Sequence, residues 1–313
     1  ERNNMLEIQQ YLKTHTLQEL QDEHGIYASY SSKYSYKHSF NYDQIESKNS
    51  DTLCHECRGL ILYTPSLASL SYQDYKTKIV GDTQIIAFPM KRFFNYGQEE
   101  ANIVNIDDPN IKYMEKLDGT LIIVNYDFIA DKWCVATRSV PEADIEFTSD
   151  GNLTFASLFA KAISVISNTK YSFEEYVLSL DKNYTYNHEL MTPYNENVCR
   201  YSAYDIAFIC RRNIHSHQED ESFDNDFIRK VSVLKLSTFQ DMIDYVAKID
   251  PTKEEGTVVM DSNGNRMKVK NADWVAYSKI KDKFGFNDRN CMQLILSGKE
   301  DDVIPHCPDD IAN

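Results

Sequence analysis

Glycine and proline are scarce in this chain, 10 and 8 of 313 residues, and with 42% hydrophobic and 26% charged residues this excludes collagen-like, low-complexity and wholly disordered chains. No window nears the roughly 18 uninterrupted apolar residues that a membrane span needs, and the N-terminus lacks the basic-then-apolar layout of a signal peptide. The expectation is a soluble, intracellular protein with no membrane partner. Seven cysteines form an odd set without framework spacing, which favours reduced thiols over disulfides. The first residue is Glu1 and not methionine, so the sequence reads as a processed or excised segment. Basic residues are in deficit, 33 against 48 acidic ones, and the resulting formal charge of −15 argues against bulk coating of nucleic acid.

Familiar site motifs are also missing. There is no G-x-x-x-x-G-K-[ST] phosphate loop, no G-x-G-x-x-G fingerprint and no G-x-S-x-G elbow. Cys54-His-Glu-Cys57 has no second C-x-x-C to complete a zinc site, and His215-x-His217 lies in an acidic stretch without cysteines. Small buried or free thiols are the expected reading.

At roughly 150 residues per domain, the length suits two domains or one large domain with an appendage. Residues 5–20 have the apolar spacing of one surface helix. Strand-like runs follow at 58–63, 85–88, 120–126, 133–137, 186–190, 203–210, 256–260 and 267–270, the last two joined by an Asn-Gly hairpin signal. Between them, 154–167 carries an apolar helical stripe. Residues 218–226 read as an exposed acidic loop, and 271–313 as a helical, then frayed, tail. The boundaries expected are 1–270 for the main domain and 271–313 for a short C-terminal helical appendage.

The chemistry gathers around Lys116-Leu-Asp-Gly119, where a lysine precedes a tight turn into an apolar strand. A lysine in such a corner near other cations can lose its preference for the charged state and become a nucleophile; a solvated surface turn is the bland alternative. Further on, Glu254 and Glu255 stand at the mouth of a strand, and Arg266, Lys268 and Lys270 alternate with Met267 and Val269. Period 2 puts the three cations on one face, which needs solvent or a polyphosphate opposite it. Lys253 to Lys283 holds seven basic residues against five acidic ones, a local cationic excess in an acidic chain.

In this order the motifs resemble the covalent nucleotidyltransferases, and within them the phage-type RNA ligase 1 group of ATP-dependent RNA ligases. Lys116-Leu-Asp-Gly119 matches the nucleotidyl-lysine motif, Asn187-His-Glu-Leu-Met-Thr-Pro193 places Glu189 at the next acidic motif, and Glu255-Gly256 and Lys268-Val-Lys270 match the last two. Glu56-Cys-Arg-Gly59 and Pro89-Met-Lys-Arg-Phe-Phe-Asn95 resemble two upstream elements, with Arg92 where lysine is more frequent. The resemblance runs from about residue 25 to 280. The segment beyond the K-x-K strand is shorter than in the phage prototype, whose C-terminal domain helps select a tRNA-like substrate.

The resemblance implies an α+β, ATP-grasp-like nucleotidyltransferase fold of antiparallel sheets flanked by helices. It implies three steps: attack of neutral Lys116 on the α-phosphorus of ATP to give enzyme-lysyl-AMP, transfer of AMP to an RNA 5′-phosphate, and sealing by a 3′-hydroxyl. Lys116, Asp118, Lys268 and Lys270 are the catalytic set, with the two later lysines meeting the α-phosphate. Glu115 and Gly119 belong to the nucleotide-binding set. Arg58 and Arg92 would hold the ribose-phosphate or the leaving pyrophosphate. Glu189 would grip the ribose or a metal-bound water, and Asp118, Glu189 and Glu255 would hold hydrated Mg²⁺ or Mn²⁺ through water. Phe93, Phe94, Tyr96 and Phe208 are candidate stacking platforms, and Arg138 and Arg211 candidate phosphate contacts. The implied partners are RNA ends, among them nicked tRNA; the absent initiator methionine and the short C-terminal region further suggest one module of a larger repair protein, with an end-healing kinase and phosphatase in the same polypeptide or pathway, and a virus or phage is a fitting source. A GTP-using RNA-capping guanylyltransferase and a catalytically silent nucleotide- or RNA-binding module are the competing readings.

Overall fold

The computed structural model describes residues 5–31, 33–43, 46–144, 153–195, 197–223 and 225–284. The chain divides into two compact units: Glu1–Arg92, Thr120–Thr192 and Ala203–Val231 form the first, and Phe93–Gly119, Pro193–Ser202 and Ser232–Asn313 the second.

The first unit opens with two helices, Glu7–Leu12 and Leu17–His24, where the apolar spacing predicts one. The break is local. The Thr16 hydroxyl accepts from the Glu19 N–H, and the Glu19 carboxylate accepts from the Thr16 N–H, so a capping box restarts the helix. Both helices bury leucines and Ile8 in a core with Phe40, Leu60, Leu62 and Phe88. The antiparallel sheet contributing to that core is ordered Ile26–Tyr30, Lys37–Tyr42, Arg58–Tyr63, Gln84–Ala87.

A second sheet of six strands sets Thr120–Asp127 between Lys132–Thr137 and Tyr184–Met191, with Asp205–Asn213 beyond. Helix Phe155–Ile166, capped by Thr154, packs Leu158, Phe159, Ala162 and Ile163 with Ile122, Leu190 and Ile206 of the sheet, as its stripe predicts. The expected acidic loop is partly sheet. Glu219–Asp220 pairs with Arg211 and Arg212, and Arg211 Nε sits 2.8 Å from Asp220 Oδ1, so two of the acids are half-buried partners of arginines. Asp224 lies outside the described residues.

Among the polar groups deeply buried here are Lys37, His188 and His38. Lys37 Nζ stands 3.1 Å from Asp127 and 2.7 Å from Glu142, beside Cys134. Burial alone would push this amine down, but Cys134 and the two carboxylates override it and hold Lys37 above its ordinary value. Asp127, Cys134 and Glu142 are, among the described residues, the one acidic or thiol group spaced to hold an ion, and the Lys37 ammonium already supplies a cation there. Cys54 and Cys57 are buried free thiols, as expected.

The other two are His188, whose Nε2 lies 2.7 Å from the Tyr176 hydroxyl, and His38, whose Nδ1 lies 2.6 Å from Thr64 Oγ1. Burial pushes them down to about 3 and about 4. As pH falls below the unfolded value of about 6.5, the unfolded chain takes up protons that the folded chain refuses, so stability present above that value is lost on acidification. At pH 5 each histidine should cost about 2 kcal/mol. Thermal unfolding followed by circular dichroism should show Tm falling from pH 7 to 5, with a shallower slope in His188→Phe; equal slopes would contradict this.

Candidate active site

The second unit is built on a sheet ordered Phe94–Asn95, Arg266–Lys270, Gly256–Met260, Lys112–Lys116. Met267 and Val269 enter a core with Phe94, Tyr113, Met242 and Val259. The pleat therefore turns Arg266, Lys268 and Lys270 to the other face, as the alternation predicts. The hairpin joining the two long strands turns at Gly264, which has φ 79°.

Register decides which side chains meet. Gly256 pairs with Lys270 on one side and with Lys116 on the other. The preceding residue, Glu255, is 2% exposed and grips both amines: its Oε2 is 2.6 Å from Lys116 Nζ and its Oε1 is 2.8 Å from Lys270 Nζ. A buried carboxylate needs such partners to offset its lost hydration. Glycine is required beside it. Gly256 has φ +151°, and a Cβ there would lie 2.1 Å from the Val269 carbonyl oxygen. Lys268 Nζ stands 5.5 Å from the centre of the Phe93 ring. Of the expected stacking aromatics in this unit, Phe93 is half-buried and Tyr96 exposed, whereas Phe94 is spent in the core.

Asp118 is held in place by donors from distant segments. It is buried and accepts four hydrogen bonds: from Asn197 Nδ2 at 2.8 Å, the Val198 and Cys199 N–H groups at 2.9 and 2.8 Å, and Trp274 Nε1 at 3.0 Å. Three of these bonds fall on Oδ2 and one on Oδ1, so the carboxylate is held from several sides while Oδ1 keeps an acceptor site. Glu255 is likewise taken up by two ammonium groups. Glu115 is tied down too, its carboxylate accepting from the Ser232 N–H at 2.8 Å. Gly119 ends this stretch of the second unit, and Thr120 opens a strand of the first.

The remaining candidates lie in the first unit. Arg92 stacks its guanidinium 3.8 Å from the Tyr42 ring centre and donates to Asn49 Oδ1 at 2.7 Å; Arg138 lies 5.9 Å from the same ring. Arg58 interacts with Tyr42, Arg138 and Glu189, and burial pushes its guanidinium below the ordinary value. Gly59 has φ +82°, and a Cβ there would come within 3.0 Å of the Arg138 Cα, so glycine lets the Arg58-bearing strand close on the backbone at Arg138. Phe208 is not a base platform. It is 1% exposed and stacked on Phe223 at 4.2 Å within the core, so neither face is free for a base. Arg211 is occupied by Asp220 and lies 4.1 Å from the Tyr184 ring.

Residues that sequence reasoning missed are Trp274 and the Asn197–Cys199 segment. Their separation from Asp118 in the chain, 79 to 156 positions, leaves no local signal.

Comparison with known proteins matches the phage-type RNA ligase 1 family model, described as RNA ligase, to residues 56–284. The chain belongs to this RNA ligase family. All the candidate residues above, from Arg58 to Trp274, fall inside the matched span of this ligase family member. A protein named as a bifunctional polynucleotide kinase/RNA ligase, from Autographa californica nuclear polyhedrosis virus, is 25% identical over 283 residues. The match covers 86% of this chain but only 37% of that relative. Similar solved structures include an archaeal ATP-dependent RNA ligase, at 12% identity and TM-score 0.46 over 90% of this chain and 68% of that one. A Naegleria gruberi RNA ligase mutant with ATP and Mn is similar at 16% identity and TM-score 0.43, over 62% of this chain and 60% of that one. No helix among the described residues is long and apolar enough to cross a membrane.

Proposed function

We propose that this chain is the adenylyltransferase part of an ATP-dependent RNA ligase joining 5′-phosphate and 3′-hydroxyl ends, with Lys116 as the nucleophile. The observation that carries this is the register of Lys116 and Lys270 across Gly256 with Glu255 bridging both amines. A nucleophile is thereby held beside a fixed cation, which is what charge developing on a phosphate requires.

In the first step the Lys116 Nζ lone pair forms the N–P bond to the α-phosphorus of ATP, and the bond to the β-phosphate oxygen breaks with its electron pair going to pyrophosphate. The ammonium must lose one proton to free its lone pair and a second once the N–P bond has formed; Glu255, already bonded to it at 2.6 Å, is placed to take the first, and the second passes to the departing pyrophosphate or to solvent. Lys270 then loses its share of that carboxylate and turns to the phosphate oxygens, with Lys268 beside it on the same face. Asp118 fixes the turn that follows Lys116. In the first unit, Arg58, Arg92 and Glu189 carry the proposed phosphate and ribose contacts. ATP with Mg²⁺ or Mn²⁺ is the cosubstrate, the ion neutralising the triphosphate charge.

Incubation with α-labelled ATP and Mg²⁺ should leave label on the denatured chain, and equal or stronger labelling by GTP would favour the capping reading. Label with neither nucleotide would overturn the proposal. The kinase named in the viral relative supports an end-healing activity in the same polypeptide or pathway, and sealing of a nicked tRNA anticodon loop against a linear strand tests the RNA preference. The intracellular setting is supported by five buried free thiols, Cys54, Cys57, Cys134, Cys199 and Cys210.

A further inference from the structure

Trp274 lies past every nucleotidyltransferase motif, on the first turn of helix Ala272–Phe284, and is 4% exposed. Its indole touches two members of the site through two different chemistries. The Nε1–H donates to Asp118 Oδ2 at 3.0 Å, and the ring centre lies 4.4 Å from Lys270 Nζ. Asp118 is two residues beyond Lys116, and Lys270 shares Glu255 with Lys116. The contacts therefore close on themselves: Lys116 to Glu255, Glu255 to Lys270, Lys270 to Trp274, Trp274 to Asp118, and Asp118 back to Lys116 along the chain.

The indole itself is held at a fixed angle. Asn271 Oδ1 accepts from the Trp274 and Asp273 N–H groups, capping the helix start, while Asn271 Nδ2 donates to the Val246 carbonyl at 2.8 Å. Asn271 N–H also donates to the Glu255 carbonyl at 2.9 Å. The helix start, the carboxylate-bearing strand and the K-x-K strand are thus locked to one another by a single residue, and Trp274 inherits its position from that lock.

We propose that Trp274 is a positioning residue for adenylylation, setting Asp118, and with it the turn after Lys116, relative to the Lys270 ammonium. This rests on the ligase reading above. An indole suits both tasks: its N–H is a donor only, matched to an acceptor-only carboxylate, and its face attracts an ammonium without neutralising it. When Glu255 lets go of Lys270, the ring still holds the amine in place for the phosphate. No other aromatic side chain combines these properties, and phenylalanine keeps only the second.

The test uses the whole chain. Trp274→Phe retains a ring under Lys270 and removes the hydrogen bond to Asp118. It should lower the rate of lysyl-AMP formation at saturating ATP by about tenfold or more, the fold-change matching one lost hydrogen bond to a charged group, while KM for ATP changes little. Trp274→Leu removes both contacts and should raise KM as well as lower the rate. Wild-type rates in Trp274→Phe, with the wild-type chain labelled, would overturn the inference and leave the ligase reading standing; no label on the wild-type chain would overturn both. Where these variants do not fold, fluorescence supplies the readout. The chain has two tryptophans, so in Trp133→Phe the emission comes from Trp274 alone. Lys270→Met in that background should shift or brighten it, and an unchanged spectrum would overturn the contact on which the inference depends.

Discussion

The Lys116→Ala chain should take up no label from α-labelled ATP while remaining folded. Two amines compete for the role, because Lys116 and Lys270 lie on the same carboxylate, 2.6 and 2.8 Å from it. They differ in their other neighbours. Lys270 also stands 4.4 Å from the centre of the Trp274 ring, so the indole occupies one side of its amine. Both lysines end a strand and keep side-chain exposure of 18% and 24%, so access does not separate them, and the resemblance of Lys116-Leu-Asp-Gly119 to the nucleotidyl-lysine motif is what favours Lys116. Removing it leaves Glu255 paired with Lys270, so no buried charge is orphaned, and the stability loss should be roughly 1.5–3 kcal/mol, the value of one charged hydrogen bond. Lys270→Ala should behave differently, with slow but detectable labelling, since it removes transition-state stabilisation and not the bond-forming atom. Gel autoradiography of the two variants after denaturation separates the cases. Persistent label on Lys116→Ala, lost in Lys270→Ala, would move the nucleophile to Lys270.

Features of the site that are local in the chain could be read from the sequence, and features that depend on distant packing could not. The face shared by Lys268 and Lys270 follows from strict alternation with Met267 and Val269, because a strand has period 2 whatever it pairs with. The helix at Phe155–Ile166 was readable for the same reason, from its stripe. The break between the N-terminal helices was also written locally, in Thr16 and Glu19 at capping-box spacing, but the continuing apolar pattern obscured it. By contrast, alternation says which strand residues share a face and not what covers that face. Phe208 is buried because Phe223, outside the strand, lies flat against it at 4.2 Å. Likewise the four donors that hold Asp118 come from residues 79 or more positions away, which no local pattern announces. Asp220 looked like part of a solvated acidic run because its partner Arg211 belongs to the neighbouring strand.

The second large effect is expected at Gly256, where the least reactive residue of the site controls the most. Its strand lies inside a four-stranded sheet, and its neighbours across the ladder are Lys116 and Lys270. The backbone at φ +151° is one that side chains strain against, and a Cβ would sit 2.1 Å from the Val269 oxygen and 2.9 Å from the Lys270 Cα. Both obstacles are backbone atoms, so no rotamer change relieves them. Gly256→Ala must push the Arg266–Lys270 strand outward, and Lys270 moves with it, away from Glu255 and Trp274. Strain and overpacking together should cost about 3 kcal/mol or more. The loss of label should exceed that of Trp274→Phe, because a shift of about 1 Å in a positioned group can cost a hundredfold in rate. Thermal unfolding and ATP labelling at a temperature where the variant is folded measure the two effects separately. A Gly256→Ala chain with wild-type Tm and wild-type labelling would show that the strand tolerates a side chain at this position. The tight register of Lys116, Gly256 and Lys270 would then not be what holds the amines together.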